Sequence, residues 1–242
     1  MIIRKPTRAD LPRLTELWQE AFGDDREDVE NFQETAFSCD RALLAQEQNP
    51  VAGIYWMDAQ IAGQKVAYLY AFAVQKAYRS RGVGKRLLER TLEILKEEGY
   101  QAAILVPGEE SLYTYYEKAG FVSFGKTQKL STEKKAPGLP AKKISPEIYL
   151  ALRQKVNPDV QWTEAAISYL GRFCDFYTGG EWLLAISRDG AQEFVGNPAD
   201  LPHILYTLNI ENISVLLPGE KPCAMAYCFR PITLPDTFSP SF

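Results

Sequence analysis

A short basic turn with two glycines is the part of this chain whose residue types best suit anion binding. It reads Arg79-Ser80-Arg81-Gly82-Val83-Gly84, and Lys85 follows, between a predicted strand and a predicted helix. A helix N-terminus directs backbone N–H groups and a partial positive charge at one point, which stabilises an anion. Glycine has no Cβ and lets a phosphate approach the backbone closely, while the basic side chains add charge. The pattern therefore predicts a pyrophosphate site for a nucleotide cofactor.

Two common phosphate-binding motifs do not describe this turn. The spacing is not that of a P-loop, which requires a Lys-Ser or Lys-Thr pair after its glycines. The turn also does not open the first strand-helix unit of the chain with the three glycines of a dinucleotide-binding site. A different nucleotide cofactor is indicated.

The turn and a downstream helix together resemble the Gcn5-related N-acetyltransferase family. The family signature is Q/R-x-x-G-x-G/A after a strand that ends in valine, and Arg79 to Gly84 after Phe72-Ala73-Val74 matches it in full. The family also often carries a tyrosine four residues before a Gly-Phe pair, as Tyr116 stands before Gly120-Phe121. The opening stretch IRKPTRADLPRLTELW resembles the first strand and helix of the family. The resemblance covers residues 1–130.

This resemblance implies an acyl-CoA-dependent N-acyltransferase with acetyl-CoA as donor and no metal. The backbone around Phe72 would pair with the pantetheine arm, the amides from Arg81 to Lys85 would hold the pyrophosphate, and Tyr116 would stand near the thioester sulfur. A phenol can protonate the thiolate as it leaves. The implied catalytic residue is Tyr116, and the implied cofactor-binding residues are Phe72, Ala73, Val74, Arg79, Ser80, Arg81, Gly82, Val83, Gly84 and Lys85.

Several alternatives stay open. Tyr116 could simply pack its ring beside Tyr113 and Tyr115. The general base is not fixed by a motif; the candidates are Glu34, Glu109, Glu110 and the terminal carboxylate of Phe242. The acceptor would be a primary amine on a small molecule or a peptide. A catalytically silent acyl-CoA sensor is the main alternative function, and a phosphate binder unrelated to CoA is a third.

Hydrophobic periodicity predicts alternating strands and helices, and hence an α/β fold with a mixed sheet of the acyl-CoA N-acyltransferase type. The first helix is predicted from an N-cap at Thr7, with a capping box to Asp10, to Phe22. Asp24–Phe37 is predicted to be acidic and then helical. Further helices are predicted at Val83–Glu98, Glu109–Ala119, Pro146–Val156, Thr163–Tyr177 and Ala199–Leu208. Strands are predicted at Ile2–Lys5, Arg41–Gln46, Val51–Asp58, Lys65–Val74, Gln101–Val106, Phe121–Leu130, Glu181–Arg188, Ala191–Gly196, Ile213–Leu217 and Cys223–Arg230.

The predicted organisation is an N-acetyltransferase-like domain at 1–130, a linker at 131–143 and a second, smaller α/β domain at 144–242. The stretch STEKKAPGLPAKK is rich in Pro, Gly and Lys, as linkers are. AILVPGEES at 103–111 is echoed by SVLLPGEKP at 214–222. The second unit is therefore either a degenerate copy of the first, without the glycine turn, or an unrelated unit with a chance match.

Composition excludes several function classes. Hydrophobic residues make up 46% and charged residues 24%, as in soluble globular proteins, and a net charge of -4 does not favour a nucleic-acid surface. Four cysteines without a CxxC pair and one histidine, His203, argue against zinc and against a Ser-His or Cys-His nucleophile system. No apolar run reaches the roughly 20 residues that cross a bilayer. We expect a cytoplasmic protein without membrane or nucleic-acid partners.

An acidic stretch follows the first predicted helix, with carboxylates at Asp24, Asp25, Glu27, Asp28 and Glu30. It is either a solvated helix face or a funnel for a cationic amine.

Overall fold

The computed structural model describes residues 1–156, 159–188, 190–236 and 238. It divides into two compact units, the first made of Met1–Ser123 and Met225–Thr233 and the second of Phe124–Ala224 and Leu234–Phe242. The division therefore falls seven residues before the boundary expected at 130, and a late segment returns to the first unit. Sequence periodicity does not reveal that return, because it depends on strand pairing far along the chain.

The elements alternate along the chain as predicted. In the first part they are β1 Ile2–Arg4, α1 Leu11–Phe22, α2 Arg26–Thr35, β2 Ala42–Gln46, β3 Pro50–Ile61, β4 Gln64–Val74, α3 Val83–Glu97, β5 Ala102–Leu105, α4 Glu110–Lys118 and β6 Val122–Glu133. The rest are β7 Lys142–Ile144, α5 Pro146–Lys155, β8 Gln161–Trp162, α6 Glu164–Leu170, β9 Asp175–Thr178, β10 Leu183–Ser187, β11 Gly190–Val195, α7 Leu201–Leu208, β12 Asn212–Pro218 and β13 Lys221–Cys228.

The first unit is built on a mixed sheet, which confirms the predicted α/β class. Its strands follow the order β1-β2-β3-β4-β5. All neighbours in this series are antiparallel except β4 and β5, which are parallel. The end of β13, from Met225 to Cys228, pairs antiparallel with β5. This pairing is the physical reason that the segment belongs to the first unit.

Helical periodicity places the apolar faces of α1 and α3 in the core of this unit. Leu14, Leu17 and Trp18 of α1 are buried, and Gly23 in the left-handed conformation ends the helix. On α3 the buried positions are Val83, Leu87, Leu88, Thr91, Leu92 and Leu95. The predicted end of α1 and the bounds of α3 are confirmed to within one residue. The N-cap predicted at Thr7 instead begins a short 3-10 helix, Arg8–Asp10, and α1 starts only at Leu11.

The second unit contains an antiparallel sheet in the order β11-β10-β9-β7, and β12 pairs with β6. Its core includes Trp182, Leu184, Phe194, Leu201 and Ile204. The strand partners Ser187 and Gly190 close the β10–β11 hairpin; Asp189, predicted in its turn, lies outside the described residues.

The single long helix predicted at Thr163–Tyr177 is wrong. The helix ends at Leu170, Gly171 follows, and Asp175–Thr178 forms β9. Phe176 is buried in this strand and its ring lies 4.3 Å from that of Tyr149. Burial of an aromatic strand residue outweighs the helical spacing in this segment.

The stretch predicted as a linker, Ser131 to Lys143, has strand residues at both ends, in β6 and β7. Its middle makes backbone hydrogen bonds within the second unit, from Lys134 N to Glu211 O and from Lys135 N to Pro202 O, each 2.9 Å. The two similar segments that contain Pro-Gly-Glu are followed by different elements: α4 follows the first and β13 follows the second. A degenerate duplication therefore stays a prediction.

Candidate functional site

The basic turn lies between the end of β4 and the start of α3. Its backbone is held in an uncommon shape, since Ser80 has a φ of 60° and Gly82 a φ of 75°. A non-glycine residue rarely adopts a positive φ, and successive N–H groups in such turns form anion-binding concavities. Gly82 stands directly before the first residue of α3. The positive end of the dipole of α3, a 15-residue helix, therefore faces the concave side of this turn.

Three basic side chains surround this turn. Arg79 donates from Nε to the carbonyl oxygen of Val74 at 2.9 Å. The guanidinium of Arg81 lies 5.6 Å from the centre of the Tyr78 ring, and Lys85 is 3.8 Å from a Glu89 carboxylate oxygen. All three basic residues are exposed, so they can meet an anion from solvent.

A β-bulge near the end of β4 changes which side chains of this strand face α3. Ile54 of β3 opposes Phe72 and Trp56 opposes Leu69, so β4 has one extra residue in this interval. Bulges rotate the residues that follow them and are frequent beside functional sites. Before the bulge, Leu69 belongs to the core cluster that contains α3; after it, Phe72 and Val74 pack against the same cluster. The extra residue therefore brings these two side chains to the helix that carries the basic turn.

One backbone edge of β4 beyond the bulge has no strand partner among the described residues. The parallel pairing with β5 covers Val66 to Tyr68 of β4 and ends opposite Ile104. On the opposite edge, Phe72, Ala73 and Val74 pair with β3. An exposed strand edge can accept an extended ligand through main-chain hydrogen bonds. The predicted pantetheine-binding residues thus lie on an edge of suitable form.

Gly84 lies where the first turn of α3 approaches β4. A Cβ at this position would be 3.3 Å from Cζ of Phe72, 3.4 Å from Cγ2 of Val74 and 3.5 Å from the hydroxyl oxygen of Tyr115. The distance to Phe72 is tight for a β-carbon and the other two are close to ordinary contact, so a side chain at this position would require a small shift of Phe72. The structure thereby brings three of the predicted cofactor-binding residues into contact distance and adds Tyr115.

Tyr116 projects from α4 into the same buried cluster as Val83. It is 8% exposed, and its ring makes edge-on contacts with Tyr115 at 5.2 Å and Phe121 at 5.4 Å. Burial, and next the neighbouring Tyr115, raise the pKa of Tyr116 well above that of a free phenol. The hydroxyl is therefore protonated at neutral pH and is a proton donor rather than a base.

The candidate general bases occupy different parts of the first unit. Glu109 and Glu110 begin α4, the helix of Tyr116, and Glu109 accepts a hydrogen bond from Ser111 Oγ at 2.7 Å. Glu34 lies on α2 and lines a surface pocket of about 540 Å³ together with Glu30. The terminal carboxylate of Phe242 lies outside the described residues.

Sequence reasoning missed two contacts that anchor the turn. Glu20 of α1 accepts a hydrogen bond from Lys76 N at 2.8 Å, and Tyr78 donates to Glu47 at 3.3 Å. Both contacts join residues far apart in sequence, so no local motif could have indicated them. They fix the chain between β4 and the turn.

The remaining chemically active residues have structural roles. His203 Nδ1 lies 2.7 Å from the carbonyl oxygen of Pro137, and all four cysteines are free thiols. Burial raises the pKa of Cys174 to about 12, which makes it a poor nucleophile at neutral pH.

Within the described residues, no cluster of three or more histidine, cysteine or acidic side chains could hold a metal ion. None of the described helices is both long and apolar enough to cross a membrane.

Comparison with protein families agrees with the geometry of the first unit. The family model for the acetyltransferase (GNAT) domain matches residues 2–123. This match spans β1 to the first residues of β6 and so includes β4, the basic turn, α3 and α4. No curated protein matches the chain.

Solved structures share the fold over nearly the whole chain. A GCN5-related N-acetyltransferase from Anabaena variabilis is 16% identical with a TM-score of 0.73, over 94% of this chain and 72% of its own. A GCN5-related N-acetyltransferase from Kribbella flavida is also 16% identical, with a TM-score of 0.68, over 94% of this chain and 70% of its own. Identities this low establish a common fold only.

Proposed function

The chain belongs to the GNAT acetyltransferase family, and from that premise we propose that it transfers an acetyl or other short acyl group from CoA to a primary amine. The observation that carries the proposal is that three features occur in one unit. They are the left-handed turn before α3, the edge of β4 that no described strand pairs with beyond Tyr68, and the buried phenol of Tyr116. A phosphate site alone would not require the second and third features.

In this proposal the chain binds the donor in two places. The amides from Arg81 to Lys85 hold the pyrophosphate, with Arg79 and Ser80 completing the turn. The edge of β4 at Phe72, Ala73 and Val74 pairs with the pantetheine arm as an added strand would. Arg79 supports both parts, because its hydrogen bond to Val74 O joins the turn to the strand.

Tyr116 supplies the proton for the leaving group. The acceptor nitrogen attacks the thioester carbonyl carbon, the C–N bond forms, the C–S bond breaks, and the thiolate takes the hydroxyl proton of Tyr116. The raised pKa keeps Tyr116 protonated before each turnover. It also makes the phenol a weaker acid, so the proton moves only as negative charge develops on the leaving sulfur. A carboxylate, drawn from Glu34, Glu109, Glu110 or the chain terminus, accepts the proton from the amine.

The acidic stretch after α1 supports a cationic acceptor. Asp24 accepts a hydrogen bond from Trp18 Nε1 at 2.7 Å, and Glu30 pairs with Arg26 at 2.7 Å. Asp25, Glu27 and Asp28 are exposed and add negative potential at the start of α2. Such a potential raises the local concentration of amines. We propose an acceptor that carries more than one positive charge, on a small molecule or a peptide.

The test is thiol release from acetyl-CoA across a panel of amines, with wild type and Tyr116→Phe. Phenylalanine keeps the ring contacts with Tyr115 and Phe121 and removes only the hydroxyl. We expect kcat to fall at least about tenfold while acetyl-CoA affinity stays within twofold. An unchanged kcat would remove Tyr116 from the chemistry.

The low exposure of Tyr116 favours one alternative, an acyl-CoA sensor without turnover. A sensor would be stabilised by acetyl-CoA and would release no thiol with any amine of the panel. Turnover with even one amine would exclude this alternative.

A further inference from the structure

Tyr115 is the residue at the site that the family motif does not explain. It belongs to α4 directly before Tyr116, yet its hydroxyl lies beside the first turn of α3, 3.5 Å from the Cβ position of Gly84. The side chain is half-buried, and no hydrogen bond to its hydroxyl occurs within the part of the chain that the structure describes. The hydroxyl oxygen is not one of the buried unpaired side-chain atoms of the described residues. It is therefore open to solvent, and a ligand can accept its hydrogen bond in place of water.

The electrostatic surroundings of Tyr115 make it a donor. Burial, and next the charge of Glu89 one helical turn beyond Lys85, raise the pKa of Tyr115 above that of a free phenol. The hydroxyl is therefore protonated at neutral pH. A neutral hydroxyl beside orphan N–H groups can donate to an anion without adding charge.

We infer that Tyr115 binds the donor by donating its hydroxyl hydrogen bond to a pyrophosphate oxygen at the first turn of α3. This assignment rests on the proposed function and extends it from the turn to α4. It gives neighbouring tyrosines separate tasks: Tyr115 contacts the phosphate end of the donor, and Tyr116 contacts the sulfur end. Their rings meet edge-on at 5.2 Å, and adjacent helix positions do not share a face, so the two side chains leave α4 in different directions.

The assignment also explains the glycine at position 84. Phe72 and Val74 already pack at 3.3 and 3.4 Å from its Cβ position. A larger residue would displace these side chains or the Tyr115 hydroxyl from the helix N-terminus. Glycine thus serves the placement of the phenol as well as the approach of phosphate to the backbone.

The experiment compares wild type, Tyr115→Phe and the control Tyr206→Phe, which removes the hydroxyl of an exposed tyrosine on α7. Affinities are measured by calorimetry for acetyl-CoA and for 3′-phospho-ADP, which keeps the pyrophosphate and lacks pantetheine. Acetyl-pantetheine, which lacks the pyrophosphate, is tested as donor in the thiol-release assay. We expect Tyr115→Phe to weaken binding of both pyrophosphate ligands roughly tenfold. The loss should appear mainly in KM for acetyl-CoA rather than in kcat, and the rate with acetyl-pantetheine should fall by a clearly smaller factor.

Equal affinities for acetyl-CoA in wild type and Tyr115→Phe would overturn the assignment. So would a matching loss with acetyl-pantetheine, or a fall in kcat without a change in affinity, because either result would move Tyr115 to the sulfur end. Failure of the proposed function gives a different result: wild type would release no thiol with any amine, whereas the affinities for the two pyrophosphate ligands would still report on Tyr115.

Discussion

The guanidinium of Arg79 donates a hydrogen bond from Nε to the carbonyl oxygen of Val74 at 2.9 Å. Donor and acceptor are five positions apart in sequence, so this bond closes the first part of the loop between β4 and α3. The same loop is held at its entry by Glu20, which accepts from Lys76 N. The turn that we propose binds pyrophosphate is therefore shaped before any ligand arrives, which lowers the ordering cost of binding.

Arg79→Ala should weaken acetyl-CoA binding about fivefold to tenfold, because the turn loses both a charge and its bond to β4. Arg79→Lys keeps the charge but cannot reproduce the guanidinium geometry, so it should recover only part of the affinity. Calorimetric titration of the three proteins checks this order. Full recovery in the lysine variant would show that charge alone matters and that the bond to Val74 does not.

Alanine substitutions at two glycines of similar conformation can distinguish an effect on ligand binding from an effect on stability. Gly82 and Gly99 have φ values of 75° and 80°, and a Cβ at either would meet no atom within 4 Å. Gly82→Ala and Gly99→Ala should therefore each cost about 1 kcal/mol of unfolding free energy, from the left-handed backbone alone. Only Gly82→Ala should also weaken acetyl-CoA binding, because only Gly82 lies in the turn.

Urea unfolding and calorimetry on both alanine variants provide the two readouts. A similar loss of affinity in Gly99→Ala would indicate that the effect of Gly82→Ala reports general destabilisation rather than the site.

The turn and the helix boundaries were accessible from sequence because their signals are local. Gly23 ends α1 and Val83 begins α3 as predicted, since glycine conformations and helical spacing act within a few residues. The bulge that turns Phe72 toward α3 depends on the register with β3, which periodicity does not encode. The contact of Glu20 with Lys76 and the position of the Tyr115 hydroxyl depend on helix packing. They required the structure.

The carboxylate of Asp10 should contribute to the free energy of unfolding of the first unit, and this contribution should depend on pH. Arg4 donates to both of its carboxylate oxygens at 2.8 Å, and Thr7 N donates at 2.7 Å. The bond from Arg4 is the main cause that lowers the pKa of Asp10 below its ordinary value near 3.9. The carboxylate therefore stabilises the fold above about pH 4, and this contribution is lost as the pH falls below that value.

Asp10→Asn should be less stable than wild type at pH 7, and the difference should narrow between pH 4 and pH 2. Urea unfolding of both proteins across this range measures the difference. If the difference in unfolding free energy between the two proteins stays constant down to pH 2, the charge of Asp10 does not contribute to stability.

The second unit has a buried ion pair that should dominate its stability. Arg153 and Glu193 are 3% and 2% exposed and join at 2.8 Å; Arg153 also donates to Val160 O, and Tyr149 donates to Glu193 at 2.5 Å. Arg153→Met should cost about 3–5 kcal/mol of unfolding free energy, because it leaves a buried carboxylate without its cation. The exposed pair Arg26–Glu30 is the control, and Arg26→Ala should leave the unfolding midpoint unchanged within error. Comparable losses in both variants would contradict the distinction between the two pairs.

Stabilisation of the wild-type chain by acetyl-CoA tests the central claim most directly. A ligand at about 100 times its Kd adds about 2.7 kcal/mol to a protein that binds it only when folded. For a chain of this size that increment should raise Tm by roughly 5 °C or more. We expect such a rise at sub-millimolar to millimolar acetyl-CoA, and a clearly smaller rise in Gly82→Ala at the same concentration. An unchanged Tm of the wild-type protein at millimolar acetyl-CoA would contradict the assignment of the Arg79–Gly84 turn as the pyrophosphate site.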